Sequence, residues 1–224
     1  MGIQHAVLVH GAGGGAWEWN LWRGVLAARG ISAATPDLQP ASAGLVATGL
    51  DDYVTQVHAA LVAMPRPRAL FGASLGGLLA LRCADAADAL VLINPLPPAP
   101  WCDALPPRAD ADVVPWRQTA RLAGTRRALP DSDDGTALFA FRHWRDESGR
   151  VLRDVRTVAI APPTVPLLCI ASVDDEDVPA TTTEALAAAW SGEYWRVPGG
   201  HVSPLLGRQA PALAARVADW LSAA

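Results

Sequence analysis

Residues 69–82 read ALFGASLGGLLALR, and this stretch decides the fold. An apolar run typical of a buried strand leads into GASLG at positions 72–76, and an apolar helical segment follows. Small residues on either side of Ser74 allow a sharp turn, because larger side chains would collide across it. The pattern predicts a strand, a tight turn and a helix, with the Ser74 hydroxyl lifted clear of a sheet. The alternative is a glycine-rich turn whose serine only caps the helix.

The alternation of strand and helix extends through most of the chain. Short apolar runs near turn-forming residues predict buried parallel strands, and segments with helical periodicity lie between them. We therefore predict an α/β fold with about six mainly parallel strands and helices on both faces of the sheet. The predicted strands are 6–9, 31–34, 69–71, 89–93, 165–171 and 193–197, and the predicted helices are 17–29, 51–64, 75–84, 181–190 and 211–221.

Residues 96–163 do not follow this alternation of strands and helices. The segment is rich in proline, arginine and aspartate, and it shows no clear strand pattern. We predict a partly helical cap or lid, inserted at one end of the sheet into a core made of residues 1–95 and 164–224. Its Trp101, Trp116 and Trp144 are candidates to line an apolar substrate pocket, and the alternative is that they stabilise the cap itself.

Composition excludes several classes of function. The chain has 224 residues, a net charge of −4 and no lysine, so lysine Schiff bases and phosphate loops that need a lysine are excluded. The charge balance argues against a nucleic-acid partner, and no apolar stretch is long enough to span a membrane. Three cysteines without metal-ligand spacing, and no signal peptide, predict a reducing, cytoplasmic location. The arginine and alanine bias suggests a GC-rich bacterial source.

A serine nucleophile needs a base, and the base needs an orienting acid. His201 follows a predicted strand in the sequence VPGGH, at the sheet edge where open α/β folds place their ligands. The turn SVDDEDVP, residues 172–179, follows another strand and supplies the candidate acids. Spacing alone leaves Asp174, Asp175 and Asp177 as alternatives.

The same chemistry needs donors for an oxyanion. The backbone N–H of Leu75, directly after the candidate nucleophile, is one expected donor. The loop HGAGGG, residues 10–15, follows the first strand and is the expected source of a second donor. A dinucleotide loop with Asp37 as its acidic partner is an alternative interpretation of this segment. It leaves Ser74 and His201 without a role.

Four motifs, HGAGGGAW, GASLGG, DDEDVP and GGH, occur in the order typical of one family. The chain resembles the α/β-hydrolase superfamily, and its opening segment looks most like the small esterase and hydroxynitrile lyase branch. The resemblance implies a minimal α/β-hydrolase fold with Ser74 as nucleophile, His201 as base and Asp175 as the orienting acid. It also implies that Ala12 gives the second oxyanion N–H and that His10 is a structural residue of its motif.

The resemblance predicts a serine carboxylesterase-type hydrolase that cleaves a small or medium-sized ester through an acyl-enzyme, without metal or cofactor. Thioester, lactone or C–C bond hydrolysis, perhydrolysis and non-catalytic binding of a small ligand are the alternatives. The absence of lysine argues against cyanohydrin lyase activity, and serine at position 74 argues against haloalkane dehalogenases and epoxide hydrolases. The expected partner is a small molecule, with neither nucleic acid nor membrane, and the sequence leaves monomer or homodimer open.

Overall fold

The six predicted strands form one fully parallel sheet in the computed structural model, which describes residues 2–107 and 110–223. The strands are β1 (His5–Val9), β2 (Ser32–Ala34), β3 (Arg68–Ala73), β4 (Ala89–Ile93), β5 (Val113–Val114), β6 (Glu147–Ser148), β7 (Leu167–Ser172) and β8 (Glu193–Val197). The sheet has the order β2-β1-β3-β4-β7-β8, and β5 and β6 form a separate antiparallel pair. The prediction of an α/β fold with about six parallel strands is confirmed.

Helices lie between the strands, as the periodicity predicts. The α-helices are α1 (Asn20–Ala28), α2 (Leu50–Val62), α3 (Leu75–Arg82), α4 (Trp116–Thr119), α5 (Leu122–Ala128), α6 (Asp134–His143), α7 (Gly149–Asp154), α8 (Ala180–Ala189), α9 (Ser203–Leu206) and α10 (Ala210–Ala223). Short 3-10 turns cover Ala16–Trp19, Leu45–Ala47, Ala84–Ala86, Trp101–Ala104 and Val155–Thr157. No helix in the described part of the chain is long and apolar enough to cross a bilayer.

Two hydrophobic clusters cover the two faces of the sheet. Alternate side chains of each strand point to opposite faces, so Leu8 and Phe71 join one cluster while Val7 and Leu70 join the other. Helices α1, α9 and α10 cover the first face, and α2, α3 and α8 cover the second. Because both faces are covered, the central strands β1, β3, β4 and β7 are nearly continuous buried runs rather than alternating ones.

The predicted cap, residues 96–163, contains α4 to α7. Side-chain caps begin two of these helices: Asp133 accepts a hydrogen bond from the Thr136 amide (2.7 Å), and Ser148 accepts one from the Val151 amide (3.2 Å). The expectation of no strand here is wrong, because β5 and β6 pair within the segment. Each has two residues, too few to produce an alternating pattern in the sequence.

The carboxyl ends of the parallel strands meet at one edge of the sheet. Val9 pairs with Gly72, Ala73 with Ile93, and Ser172 with Val197. The loops that follow β1, β3, β4, β7 and β8 therefore emerge side by side. This edge holds the motifs that the sequence singles out.

Candidate active site

Ser74 occupies the turn between β3 and α3. Its backbone has φ +52° and ψ −119°, a conformation that L-residues rarely adopt. A Cβ atom on Gly72 would lie 2.1 Å from the Gly76 carbonyl oxygen, and one on Gly76 would lie 2.3 Å from the Val9 carbonyl oxygen. The Ser74 amide donates to the Ile93 carbonyl at 3.0 Å. Glycines at 72 and 76 therefore allow the close packing that holds the strained serine.

His201 and Asp175 are joined by a hydrogen bond of 2.7 Å between Nδ1 and Oδ2. The Asp175 side chain is fully buried, and its Oδ1 accepts from the amides of Asp177 (2.8 Å) and Val178 (2.9 Å). These bonds fix the carboxylate behind the ring. An acid at Nδ1 sets the tautomer in which Nε2 accepts a proton.

The other acids of this turn have different positions. Asp174 is exposed, and its amide donates to the Gly199 carbonyl at 3.1 Å. Glu176 is exposed, with its carboxylate 3.7 Å from Arg127. Asp177 lies at the cavity described below. Of the three aspartates that spacing leaves open, the structure brings Asp175 against the ring of His201.

The surroundings of His201 favour its charged form. Burial by itself lowers the pKa of this imidazole, but the charge of Asp175 and the hydrogen bond between them outweigh burial and raise the pKa to about 9. Asp177 and Glu18 raise it further by smaller amounts. A ring that gains a proton here is therefore stabilised by its neighbours.

Ser74 and His201 line one cavity of about 380 Å³ between the sheet edge and the predicted cap. Trp116 and Trp144 lie in its wall, as expected from the sequence. The expectation for Trp101 is corrected, because its ring packs edge-on against Trp190 with centroids 5.4 Å apart, away from this cavity. The Trp101–Ala104 turn lies against α8 instead of over the active-site edge.

The two expected oxyanion donors lie on adjacent loops. Leu75 is the first residue of α3, and Ala12 lines the cavity beside Ser74. A Cβ on the preceding Gly11 would lie 3.1 Å from the Ser74 Cβ, so this loop passes directly against the serine. Within residues 2–107 and 110–223, neither the Ala12 nor the Leu75 amide has an acceptor.

Comparison with known proteins identifies the family of the chain. A family model described as the alpha/beta hydrolase family matches residues 6–217. The chain belongs to this α/β-hydrolase family. A comparison with curated protein sequences gives no match.

Several solved structures share the fold at low identity. A pyrethroid hydrolase from Sphingobium faniae JZ-2 is 20% identical, with 99% of this chain and 98% of that chain covered and a TM-score of 0.76. The methylesterase MES16 from Arabidopsis is 18% identical, with 99% and 100% covered and a TM-score of 0.74. Tomato methylketone synthase I, solved with 2-tridecanone, is 16% identical, with 98% of each chain covered and a TM-score of 0.76.

His10 begins the glycine-rich loop of this α/β-hydrolase and is 2% exposed. Its Nε2 accepts from the Leu38 amide at 3.0 Å, and its Nδ1 lies 2.7 Å from the Gly11 carbonyl oxygen, to which it can donate. Burial lowers its pKa to about 4, and the cation of Arg145 also lowers it. A neutral ring that bridges two backbone segments fits a structural residue.

Asn94 is a site residue that the sequence analysis missed. It follows β4 with φ +44° and is 1% exposed. Its Nδ2 donates to the His201 carbonyl (2.7 Å) and to Ser172 Oγ (3.0 Å), while its Oδ1 accepts from the Ser172 amide (2.7 Å). It therefore ties the histidine loop to the ends of β4 and β7. An asparagine directly after an apolar strand is the sequence feature that could have indicated it.

Two buried glutamates beside the glycine-rich loop were also missed. Glu18 is 3% exposed and lines the cavity, and Glu147 is 4% exposed on β6. Burial raises the pKa of Glu18 to about 7. The sequence feature that could have indicated Glu18 is an acid between two tryptophans in WEW. Glu147 has no comparable local pattern, because it meets the loop across 134 positions of sequence.

The structure gives less support to a dinucleotide loop or to a metal site at these motifs. Asp37, the expected ribose partner of a dinucleotide loop, accepts from the Ala16 amide at 2.9 Å and lies 3.6 Å from Arg145. Among the described residues, the one group with metal-ligand geometry is Asp175, Asp177 and His201, with ligand atoms within 4.8 Å of one another. Hydrogen bonds to His201 and to two amides already engage both oxygens of Asp175.

Proposed function

We propose that this protein is a serine hydrolase that cleaves a carboxylic ester of a small or medium-sized substrate through an acyl-enzyme. The observation that carries the proposal is the 2.7 Å bond between His201 and Asp175, in a cavity that the strained Ser74 shares. A hydroxyl is a weak nucleophile by itself, and an oriented imidazole is the group that activates it.

In the proposed reaction, Ser74 Oγ attacks the ester carbonyl carbon and His201 Nε2 takes the hydroxyl proton. The negative charge on the carbonyl oxygen is stabilised by the N–H groups of Ala12 and Leu75. Asp175 stabilises the imidazolium, which then gives its proton to the leaving alcohol as the ester bond breaks. Water attacks the acyl-enzyme by the same route, releases the carboxylic acid and restores Ser74.

The cavity supports a substrate of limited size. A volume of about 380 Å³ lies at the small end of the range for small-molecule sites. Trp116, Trp144, Leu152 and Leu205 supply apolar wall, which suits an aliphatic or aromatic group of the ester. The names of the structural neighbours, a pyrethroid hydrolase and a methylesterase, are compatible with ester cleavage.

Labelling with a fluorophosphonate, followed by intact mass measurement, tests the nucleophile. We expect one adduct on the wild type and none on Ser74→Ala, since the probe phosphonylates an activated serine. Ser32→Ala, at an exposed position on β2, is the matched control and should label fully. Turnover of p-nitrophenyl esters of increasing chain length, with thioesters and lactones in parallel, then defines the bond and the acyl size. An unlabelled wild type, or ester turnover retained by Ser74→Ala, would contradict the proposal.

A further inference from the structure

The glycine-rich loop at residues 11–15 is held by two buried carboxylates. Glu18 comes from the core beside β1, and Glu147 comes from the predicted cap. We propose that Glu18 and Glu147 are positioning residues for the oxyanion hole, which fix the peptide groups on both sides of the Ala12 N–H. The inference rests on the proposed function, in which that N–H binds the oxyanion.

Glu18 holds the first side of the loop. Its Oε2 accepts from the Gly11 amide at 3.1 Å. The carboxyl group fits here because Gly14 has no side chain: a Cβ at that position would lie 1.9 Å from Glu18 Oε1. The glycine run therefore allows an acid to pack against the backbone of the loop, in addition to allowing a close approach of substrate.

Glu147 holds the second side. Its Oε2 accepts from the Gly13 amide at 3.0 Å. Its Oε1 accepts from the Tyr53 hydroxyl and from the Ser148 amide, both at 2.8 Å. Three donors from three parts of the chain therefore fix this carboxylate, and Gly13 (φ +66°) adopts a conformation that L side chains rarely take.

The peptide between these two points carries the Ala12 N–H. A trans peptide is planar, so its N–H points away from its C=O. The Gly11 carbonyl of this peptide accepts from the Gly14 amide at 3.2 Å and lies 2.7 Å from His10 Nδ1. With the Gly11 and Gly13 amides also engaged, the direction of the Ala12 N–H is set before any substrate binds. Preorganised donors of this kind cost no reorganisation during the reaction.

Two carboxylates beside a developing oxyanion would oppose it if they were uncompensated. Arg145 supplies a positive charge at this loop. Its amide donates to the Gly13 carbonyl at 2.7 Å, and its Nε donates to the Gly14 carbonyl at 2.6 Å. Its cation also acts on Glu18, whose pKa it lowers against the larger effect of burial. One residue of the predicted cap therefore engages two loop carbonyls and offsets negative charge at Glu18.

Substitutions at the two glutamates separate positioning from simple structural support. Glu18→Ala and Glu147→Ala each remove the acceptor of one loop amide, whereas Glu18→Gln keeps an oxygen that can accept from the Gly11 N–H. Tyr53→Phe is a milder change that leaves Glu147 in place and removes one of its donors. The exposed Glu184→Ala on α8 is the matched control. The measurements are kcat and KM for a p-nitrophenyl ester and the affinity for a trifluoromethyl ketone, which forms a tetrahedral adduct with an active serine.

Direct loss of an oxyanion donor costs ~100–1000-fold in kcat, so a misdirected donor should cost about tenfold or more. We expect both alanine variants to lose at least about tenfold in kcat and in ketone affinity, with KM within about threefold. Glu18→Gln should recover most of the loss, Tyr53→Phe should lose about threefold, and Glu184→Ala should lose nothing. A purely structural role would lower the folded fraction, measured by circular dichroism, without this selective loss of ketone affinity.

Several results would overturn the inference. They are wild-type kcat in folded alanine variants, a loss confined to KM, or Glu18→Gln behaving like Glu18→Ala. If the alanine variants do not fold, unchanged kcat and unchanged ketone affinity in Tyr53→Phe would overturn it as well. In all these cases, fluorophosphonate labelling and ester cleavage by the wild type would still support the proposed function. A wild type that shows neither would contradict both the proposed function and this inference.

Discussion

His10 and His201 lie on loops at the same edge of the sheet, and their rings have opposite surroundings. His10 meets the Leu38 amide and the cation of Arg145, and burial lowers its pKa to about 4. The His201 side chain is 13% exposed, and the carboxylate of Asp175 at 2.7 Å outweighs the effect of its partial burial and raises its pKa to about 9. Burial lowers the pKa of both rings, and the partner at the ring nitrogen separates them.

The difference fits the distinct tasks that the proposed reaction gives the two loops. A ring that stays neutral over the physiological range can bridge two backbone segments permanently, as His10 does. A base must instead accept a proton during each turnover and be stabilised when it carries it. Position at the carboxyl edge of a parallel sheet is thus insufficient to identify a catalytic histidine, and a buried acid within hydrogen-bond distance is the deciding feature.

Asp175→Asn should have the largest effect, because it gives His201 a neutral partner like that of His10. We expect a loss of about 10⁴-fold in kcat for ester cleavage, since the amide favours the wrong tautomer and no longer stabilises the imidazolium. Stopped-flow or steady-state assays with a p-nitrophenyl ester measure it. Asp174→Asn, one residue earlier and exposed, is the control and should keep normal activity. Equal losses in both variants would show that the acid turn acts through its fold.

The pH dependence of kcat/KM tests the same role of Asp175 beside His201. His201 must be neutral to accept the serine proton. Wild-type kcat/KM should therefore rise about tenfold per pH unit below about pH 9 and level off above it, and this rise is the acidic limb of the profile. Without the Asp175 charge, burial remains, and burial lowers the pKa of the ring. The residual activity of Asp175→Asn should therefore have its limb shifted to lower pH. A limb at the same pH in both proteins would contradict the assignment of the base.

The next effect concerns stability and His10. Its folded pKa of about 4 lies below the ordinary 6.5, so the unfolded chain binds more protons between these values. The contribution of His10 to stability is present above pH 6.5 and is lost as pH falls through 4, by about 3 kcal/mol in total. Urea unfolding of wild type and His10→Gln between pH 7 and 4 measures it, and the difference between the two should shrink toward low pH.

This experiment needs a comparison of variants, because other buried groups act in the opposite direction. The pKa of Glu18 is raised from 4.5 to about 7, so the native state binds more protons in that window and gains stability as pH falls. Wild-type stability alone therefore mixes the two effects. His58→Gln, at an exposed position on α2, is the matched control and should follow the wild type at every pH. A pH-independent difference between His10→Gln and wild type would remove the proposed linkage.

The parts of this molecule that depend on local sequence patterns could be predicted from the sequence. Strands 89–93 and 193–197 match the structure at both ends, because each is a short run bounded by turn residues. The strand predicted at 165–171 begins at Leu167 instead, since Pro166 has no N–H to donate to the ladder. The turn at Ser74 was predictable because its constraints come from residues within a few positions of it.

The remaining parts depend on contacts between distant positions. Asn94 reaches the histidine loop 107 positions later, and Glu147 reaches Gly13 across 134 positions. No local periodicity reports such pairs. The same reason explains Trp101, whose ring packs against Trp190 at the end of α8 rather than against the other cap tryptophans. The acid of the turn could be chosen only by resemblance, because burial of one carboxylate among four is a property of the packed molecule.

Asn94 tests whether His201 depends on its loop as well as on Asp175. Asn94→Gly keeps a residue that tolerates φ +44° and removes all three side-chain bonds, so backbone strain does not confuse the result. We expect kcat for ester cleavage to fall about tenfold, because small misplacement of a catalytic group is costly, while KM stays within about threefold.

The pH limb of Asn94→Gly should remain near that of the wild type, since the bond between His201 and Asp175 is retained and still determines the pKa of the ring. Ser172→Ala is the matched variant: it removes one acceptor of Asn94 Nδ2 and leaves the bond to the His201 carbonyl, so its kcat should change less than about threefold. If Asn94→Gly folds and keeps full kcat, the loop is held well enough by its other contacts, such as the Gly200 amide on Ser203 Oγ at 3.0 Å. In that case Asp175 alone accounts for the difference between His10 and His201.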